Sequence, residues 1–229
     1  MDENKDLKKN WKKMSAGQKL RYYKDYYLLL TVILLGAVCA AVFLIWHFTK
    51  PEEKDILHVA ILDDRLDQPG KDALVKKLEI KFGADGKLRK VVLDDNFSSA
   101  SDGPSRLAVY MASKSIDVII SGRDTFKTYA AEGYFEDLNL HLDAPELLKW
   151  DAAVIETPGY DESADSDVTK DGTGRGDVLP YGVDLSGSSL YGSISTKLSD
   201  PVFAFAAGAP DPDNAKIFLQ TLMEDGSDE

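Results

Sequence analysis

Cysteine and histidine are nearly missing from this chain of 229 residues: Cys39 stands alone, and His47, His58 and His141 are its only imidazoles. One cysteine rules out an intramolecular disulfide. Because Cys39 lies in an apolar run, the rest of the chain has no thiolate chemistry to offer. Three scattered histidines are too few for a zinc site or a histidine-based nucleophile triad. His58, inside a strand-like apolar stretch, reads as a core residue. No sequence repeat with a period of roughly 20–50 residues is present.

Formal charge is also missing, over one long stretch. From Tyr26 to Thr49 the chain reads YYLLLTVILLGAVCAAVFLIWHFT, 24 residues without Asp, Glu, Lys or Arg. As a helix this run reaches about 36 Å, enough to cross a hydrocarbon core of about 30 Å. A cleaved signal peptide fits less well, since its apolar region rarely exceeds about 15 residues. Cys39 is followed by further uncharged residues and does not resemble a lipid-attachment site.

Basic residues crowd one side of this run. Residues 1–25 hold Lys5, Lys8, Lys9, Lys12, Lys13, Lys19, Arg21 and Lys24 against four acids. Lys and Arg are retained on the cytoplasmic side, so this tail is expected inside and the remainder outside. Tyr22, Tyr23, Tyr26 and Tyr27 at one end and Trp46 at the other suit the two interfaces. The tail carries +4 and Lys50 +1, so of the formal net charge of −12, −17 falls on residues 51–229. Such a domain repels nucleic acid and anionic headgroups, and a nucleic-acid partner is excluded.

Beyond a polar stem at residues 50–55, the pattern alternates. ILHVAIL (56–62) is a buried-strand run, and Gln68-Pro69-Gly70 opens a helix with Ala73, Leu74, Leu78 and Phe82 inward and Gly83 as its stop. LRKVVL (88–93) is a second strand, residues 105–113 a helix, IDVII (116–120) a third strand and residues 124–132 a helix. Helical residues follow at 145–150 and a short strand at 152–155. Residues 157–178 are acidic, small and aperiodic, and read as a mobile loop. Strands return at 180–185 and 202–207, and Asp211-Pro212 opens a last helix with Ala215, Phe218, Leu219 and Leu222 inward. Residues 225–229 form an acidic end. Alternating strands and helices predict an α/β fold with a mostly parallel, doubly wound sheet over residues 56–224.

Ligands of such sheets bind outside the carboxyl ends of the strands. That rule selects Asp63, Asp64, Asp94, Asp95, Asn96, Ser121, Gly122, Arg123 and Asp124, with Arg123 suited to a carboxylate and Asp64 and Asp95 to an amine. Turn chemistry alone explains many of the same residues. The paired acids resemble the opening of a response-regulator receiver, but Ser121-Gly122 stand where its phosphate-accepting Asp would be. Gly172-Thr-Gly174-Arg-Gly176 lacks the strand and helix that a phosphate cradle requires. Arg175-Gly176-Asp177 is too short a match to imply adhesion. Asp165, Asp167 and Asp171 fall short of a calcium loop, with Thr169 and Lys170 at positions a ligand and the turn glycine would need. No residue set calls for a cofactor or a metal, and no carboxylate is isolated for acid–base catalysis.

SIDVIISGRDTFKTYAAEGYFEDL (115–138), PYGVDLSGS (180–188) and DPVFAFAAGAPDPDNAKIFLQTLME (200–224) together resemble the extracellular solute-binding proteins of bacterial ABC importers. The resemblance implies a periodic βα lobe of periplasmic-binding-protein type that binds a solute without catalysis. Such proteins have two lobes, and the second would have to fit between Trp150 and Pro180, a space filled by the acidic loop, so one lobe is expected to be missing. The expected protein is a single-pass membrane-anchored domain that binds a small solute or cation outside the cell. The alternative is a non-catalytic scaffold or accessory subunit that docks a membrane protein partner in an envelope complex.

Overall fold

The structure, a computed structural model, describes residues 15–49, 54–100, 103–163 and 171–224. The basic tail before Ser15, most of the stem and the acidic end lie outside the described residues. The chain divides into two units, meeting at Glu52 and Glu53.

In the first unit, α1 (Ala16–Tyr26) leads into α2 (Leu28–Thr49). Tyr27 interrupts the helix in name only: its N–H donates to the Tyr23 carbonyl at 2.8 Å, and the Thr31 N–H donates to the Tyr27 carbonyl at 2.9 Å. The Thr31 hydroxyl adds a bond to the same carbonyl at 2.8 Å. Leu28–Phe48 is long and apolar enough to cross a membrane, and none of it is buried within the protein. The uncharged run thus splits, with Tyr26 ending α1 and the apolar helix starting at Leu28.

The second unit is built on a six-stranded sheet: β1 (Lys54–Leu62), β2 (Arg89–Phe97), β3 (Val118–Gly122), β4 (Val154–Pro158), β5 (Val178–Asp184) and β6 (Pro201–Phe205), in the order β2-β1-β3-β6-β5-β4. Residues 56–62 of β1 are all buried, as a strand covered on both faces must be. Val59 lies opposite Leu93 of β2 and Val118 of β3, both in parallel register. His58 is a core residue, with its ring edge-on to Tyr110 at 5.5 Å.

Helix α3 (Gln68–Phe82) joins β1 to β2. Asp67 caps it by accepting the Gly70 N–H at 3.1 Å, and Gly83 closes it in the left-handed region at φ 61. Leu74 and Leu78 of α3 pack on one face of the sheet, while Leu107 of α4 (Gly103–Ala112), which joins β2 to β3, packs on the other. Helix α5 (Arg123–Ala131) follows β3 and buries Phe126, Tyr129 and Ala130 on that second face. The chain therefore winds away from β1 on both sides, and the sheet's switch point lies between the carboxyl ends of β1 and β3.

The other half of the sheet differs from expectation: β6 is antiparallel to β3, β5 to β6 and β4 to β5, so the sheet is mixed rather than mostly parallel. A parallel neighbour needs a crossover that returns the chain to the opposite end of the sheet. Between β5 and β6 there is only α7 (Ser189–Ile194) and a short loop, both at the end where β5 stops, so β6 starts there and runs back. Helix α6 (Ala144–Lys149), held by a capping box between Asp143 and Glu146, precedes β4. The last helix, α8 (Pro212–Met223), buries Phe218, Leu219 and Leu222 on the α3 face, each contributing about 1.5–3 kcal/mol.

The aperiodic segment also holds more regular structure than its composition suggests. Thr157 and Pro158 belong to β4 and Val178 to β5, and the pairing continues past them: Gly159 N–H donates to Asp177, Gly176 N–H to Gly159, and Asp161 N–H to Gly172. A Cβ at Gly172 would lie 2.3 Å from the Asp161 carbonyl oxygen, and one at Gly176 2.5 Å from that of Tyr160. Only glycine permits that approach of backbone to backbone. Asp165 and Asp167, in the calcium-like pattern, lie outside the described residues, whereas Asp171 accepts the Thr173 N–H at 3.0 Å.

Candidate functional site

The carboxyl ends of β1, β2, β3 and β5 share one rim, where the predicted residues are found. Asp63 leaves β1 with φ 59, in the left-handed region, and its Oδ1 accepts the Ser98 hydroxyl at 3.0 Å and the Ser99 N–H at 2.9 Å. Partial burial raises its pKa, but the bonds from Ser99 and Ser98 and the charge of Lys197 outweigh burial and hold it below the ordinary carboxylate value.

Asp64 is 2% exposed and fully occupied. One oxygen accepts the Arg65 N–H at 2.8 Å, the Lys197 N–H at 2.9 Å and the Thr196 N–H at 3.2 Å. The other accepts the Ser195 hydroxyl at 2.6 Å and the Tyr191 hydroxyl at 3.1 Å. Burial and the neighbouring Asp64 push the Tyr191 phenol well above its ordinary value, so it stays a donor. The Thr196 hydroxyl donates to the Arg65 carbonyl. Asp64 thus ties the end of β1 to the loop between α7 and β6.

Asp95 does similar work on β2. It accepts the Lys71 ammonium at 2.6 Å and the Leu66 N–H at 3.0 Å. Burial raises its pKa, but Lys71 and the Leu66 amide prevail and it lies below the ordinary value. Asp94 accepts Arg106 at 2.7 Å and both nitrogens of Asn96, at 3.0 and 3.1 Å. Asn96 in turn accepts a bond from Arg65.

At the third strand, Ser121 lies opposite Val202 and shares its sheet face, beneath α5; its hydroxyl is buried with no hydrogen-bond partner among the described residues. Gly122 is the N-cap of α5 in extended backbone and offers no side-chain cap. The Asp200 carboxylate comes instead, accepting the Arg123 N–H at 3.4 Å. The Arg123 guanidinium pairs with Asp184 at the end of β5. Asp124 is exposed in the first turn of α5.

The fold therefore brings all nine predicted residues toward one end of the sheet, with Asp94, Asp95 and Asn96 inside β2 and not past its end, and it supplies most of their partners from within. Sequence reasoning missed Lys71, Asp184, Tyr191, Ser195, Thr196, Lys197 and Asp200. Only the cap Ser188, which accepts the Tyr191 N–H at 3.0 Å, gave a local sign of α7. Among the described residues no group of three or more His, Cys, Asp or Glu side chains is arranged to hold a metal ion. In comparisons with family models, curated proteins and solved structures, the chain finds no match.

Proposed function

We propose that this chain is a single-pass membrane protein whose basic tail is cytoplasmic and whose sheet unit is an extracytoplasmic, non-catalytic binding domain of solute-binding-protein type, reduced to about one lobe. The observation that carries the reading is where the resembling segments fall. Residues 115–138, 180–188 and 200–224 are far apart in sequence, yet they supply β3, β5 and β6, three neighbouring strands, with helices α5 and α8. The binding position is the switch point between β1 and β3, where the Asp63 and Asp124 side chains are exposed. A small polar solute or a cation suits that acidic rim.

The saturation of Asp64 and Asp95 favours the second reading, an accessory subunit of an envelope complex that docks a membrane protein and encloses no solute. A thermal-shift screen of the full chain in detergent, against amino acids, polyamines, sugars and divalent cations, separates the two. A ligand at 100 times its dissociation constant stabilises by about 2.7 kcal/mol, well within detection. A hit weakened by Asp63→Ala or Arg123→Ala supports solute binding at the rim, and one unaffected by either refutes that site. If no compound shifts the transition and a partner co-purifies from solubilised membranes, the accessory reading holds. Protease added to intact protoplasts tests topology: loss of the sheet unit with retention of the tail is expected, and the reverse would overturn the orientation.

A further inference from the structure

The two margins of the sheet are built differently. At one margin, β4 has five residues, exposes Glu156 and ends in Pro158, all features that discourage pairing with another chain. At the other, β2 has nine residues, RKVVLDDNF, and among the described residues it pairs with β1 alone. Its first seven residues are antisymmetric in charge about Val92: Arg89-Lys90 precede the apolar Val91-Val92-Leu93, and Asp94-Asp95 follow. We infer that β2 is the contact through which two copies of this chain associate, pairing antiparallel across a two-fold axis at Val92 so that the sheets of both copies join.

Backbone geometry sets the register. The His58 carbonyl accepts the Asp117 N–H at 2.9 Å and so turns toward β3, which leaves Leu57 and Val59 to bond β2. With Val59 opposite Leu93, residues Lys90, Val92 and Asp94 turn their backbone groups toward β1 and Val91 and Leu93 turn theirs away, up to the register shift beyond Asp94. Arg89 conforms: its N–H reaches Asp85 at 2.9 Å and its carbonyl takes the Gly86 N–H at 3.1 Å, both in the preceding turn. The next outward residues, Val91 and Leu93, bury their side chains in the core and leave N–H and C=O at the margin. A two-fold at Val92 puts Val91 opposite Leu93 of the second copy and Leu93 opposite its Val91. These are the pairs that exchange two hydrogen bonds each in an antiparallel ladder.

Side chains agree with that register. Arg89 falls opposite Asp95 of the second copy and Lys90 opposite its Asp94, on matching faces of the sheet, whereas a parallel in-register stack would set like charges against each other. Asp94 and Asp95 already hold Arg106 and Lys71, so the added bases contribute register more than strength. A closed, isologous pair of this kind satisfies the β2 margin of both copies at once, so the contact cannot propagate into a fibre.

The test uses the full chain in detergent with Cys39→Ser, which removes its only cysteine. Val92→Cys places two thiols in a non-hydrogen-bonded pair about 4.5 Å apart at Cα, within disulfide range. Mild oxidation should convert most of the protein to a reducible dimer. Leu88→Cys, about 26 Å from its copy in this register, should cross-link at least tenfold less. Val91→Pro in the Val92→Cys background removes an outward N–H without costing a bond to β1, and should cut cross-linking about tenfold. Arg89→Glu, on an exposed side chain, should cut it severalfold without altering the backbone. Absence of the Val92→Cys dimer, equal cross-linking at Leu88→Cys, or indifference to both Val91→Pro and Arg89→Glu would each overturn the inference.

Discussion

Replacing Asp64 distinguishes a carboxylate that holds the fold from one held out to a ligand. The Asp64 side chain receives three backbone N–H groups and two hydroxyls, at a position only 2% exposed. Asp64→Ala leaves all five donors without an acceptor. Each buried polar group so orphaned costs about 1–3 kcal/mol, and the hydroxyls can turn toward other acceptors, so roughly 3–4 kcal/mol is expected. Asp64→Asn keeps one oxygen for the amides and offers its NH2 to the two hydroxyls, which can accept. It should cost about 1 kcal/mol, the charge assistance lost. The assay is urea unfolding of the full chain in detergent, followed by Trp150 fluorescence with Trp11 and Trp46 replaced by Phe, since Trp150 is the tryptophan buried in the sheet unit. Local hydrogen exchange should rise over residues 195–200 in Asp64→Ala. A cost below about 1 kcal/mol with unchanged exchange there would refute the clamp and return Asp64 to the ligand-facing role.

The Lys71–Asp95 pair predicts that Lys71→Met costs roughly 2 kcal/mol at pH 7. Because the folded pKa of Asp95 is depressed, its stabilisation is present above the ordinary carboxylate value and lost as pH falls through the folded one, so the two proteins should converge in acid; a pH-independent difference would contradict this. Asp117 has the opposite sign. It accepts the His58 N–H at 2.8 Å and the Asp211 N–H at 2.7 Å, and burial raises its pKa despite those bonds, with Asp211 adding to the rise. Its contribution is full below the unfolded value of 3.8 and lost as pH rises through the folded one, so wild type should gain on Asp117→Asn as pH falls from 7 toward 4, and parallel unfolding profiles would count against it. Gly176→Ala should cost about 1–3 kcal/mol, because the new Cβ meets backbone 2.5 Å away; a neutral result by urea unfolding would mean the 159–177 pairing is easily remodelled.

Where local pattern and local chemistry coincide, the elements are readable from the chain alone. The helix from Gln68 to Phe82 announces itself in first-turn Pro69 and stops at Gly83, and its Leu74 and Leu78 meet the core as expected, whereas Ala73, read as inward, is exposed. Pro212 likewise opens α8, although the Asp211 side chain makes no cap hydrogen bond, and the apolar run of β1 is buried as expected. Helix α7 was not readable, because SLYGSI is six residues with a single turn's worth of pattern. The β4–β5 extension was not readable either, since small acidic residues carry no periodicity and the pairing rests on glycine backbone.

By itself the sequence determined which segment is apolar enough to leave water and where the apolar strand β1 and the helices α3 and α8 lie, because these follow from residue type and from spacing along one chain. It placed Ala73 inward, where it is exposed, and ended the second strand at Leu93, where β2 runs on through Asp94 and Asp95 to Phe97. Only the tertiary structure decided that β4, β5 and β6 run antiparallel, and that Asp64 spends its oxygens on Tyr191, Ser195, Thr196 and Lys197, more than a hundred residues away. A carboxylate looks the same in sequence whether water, a ligand or a distant amide will meet it. Its partner is set by which loops the sheet brings to the same rim, and that depends on strand order and direction, which no local pattern encodes.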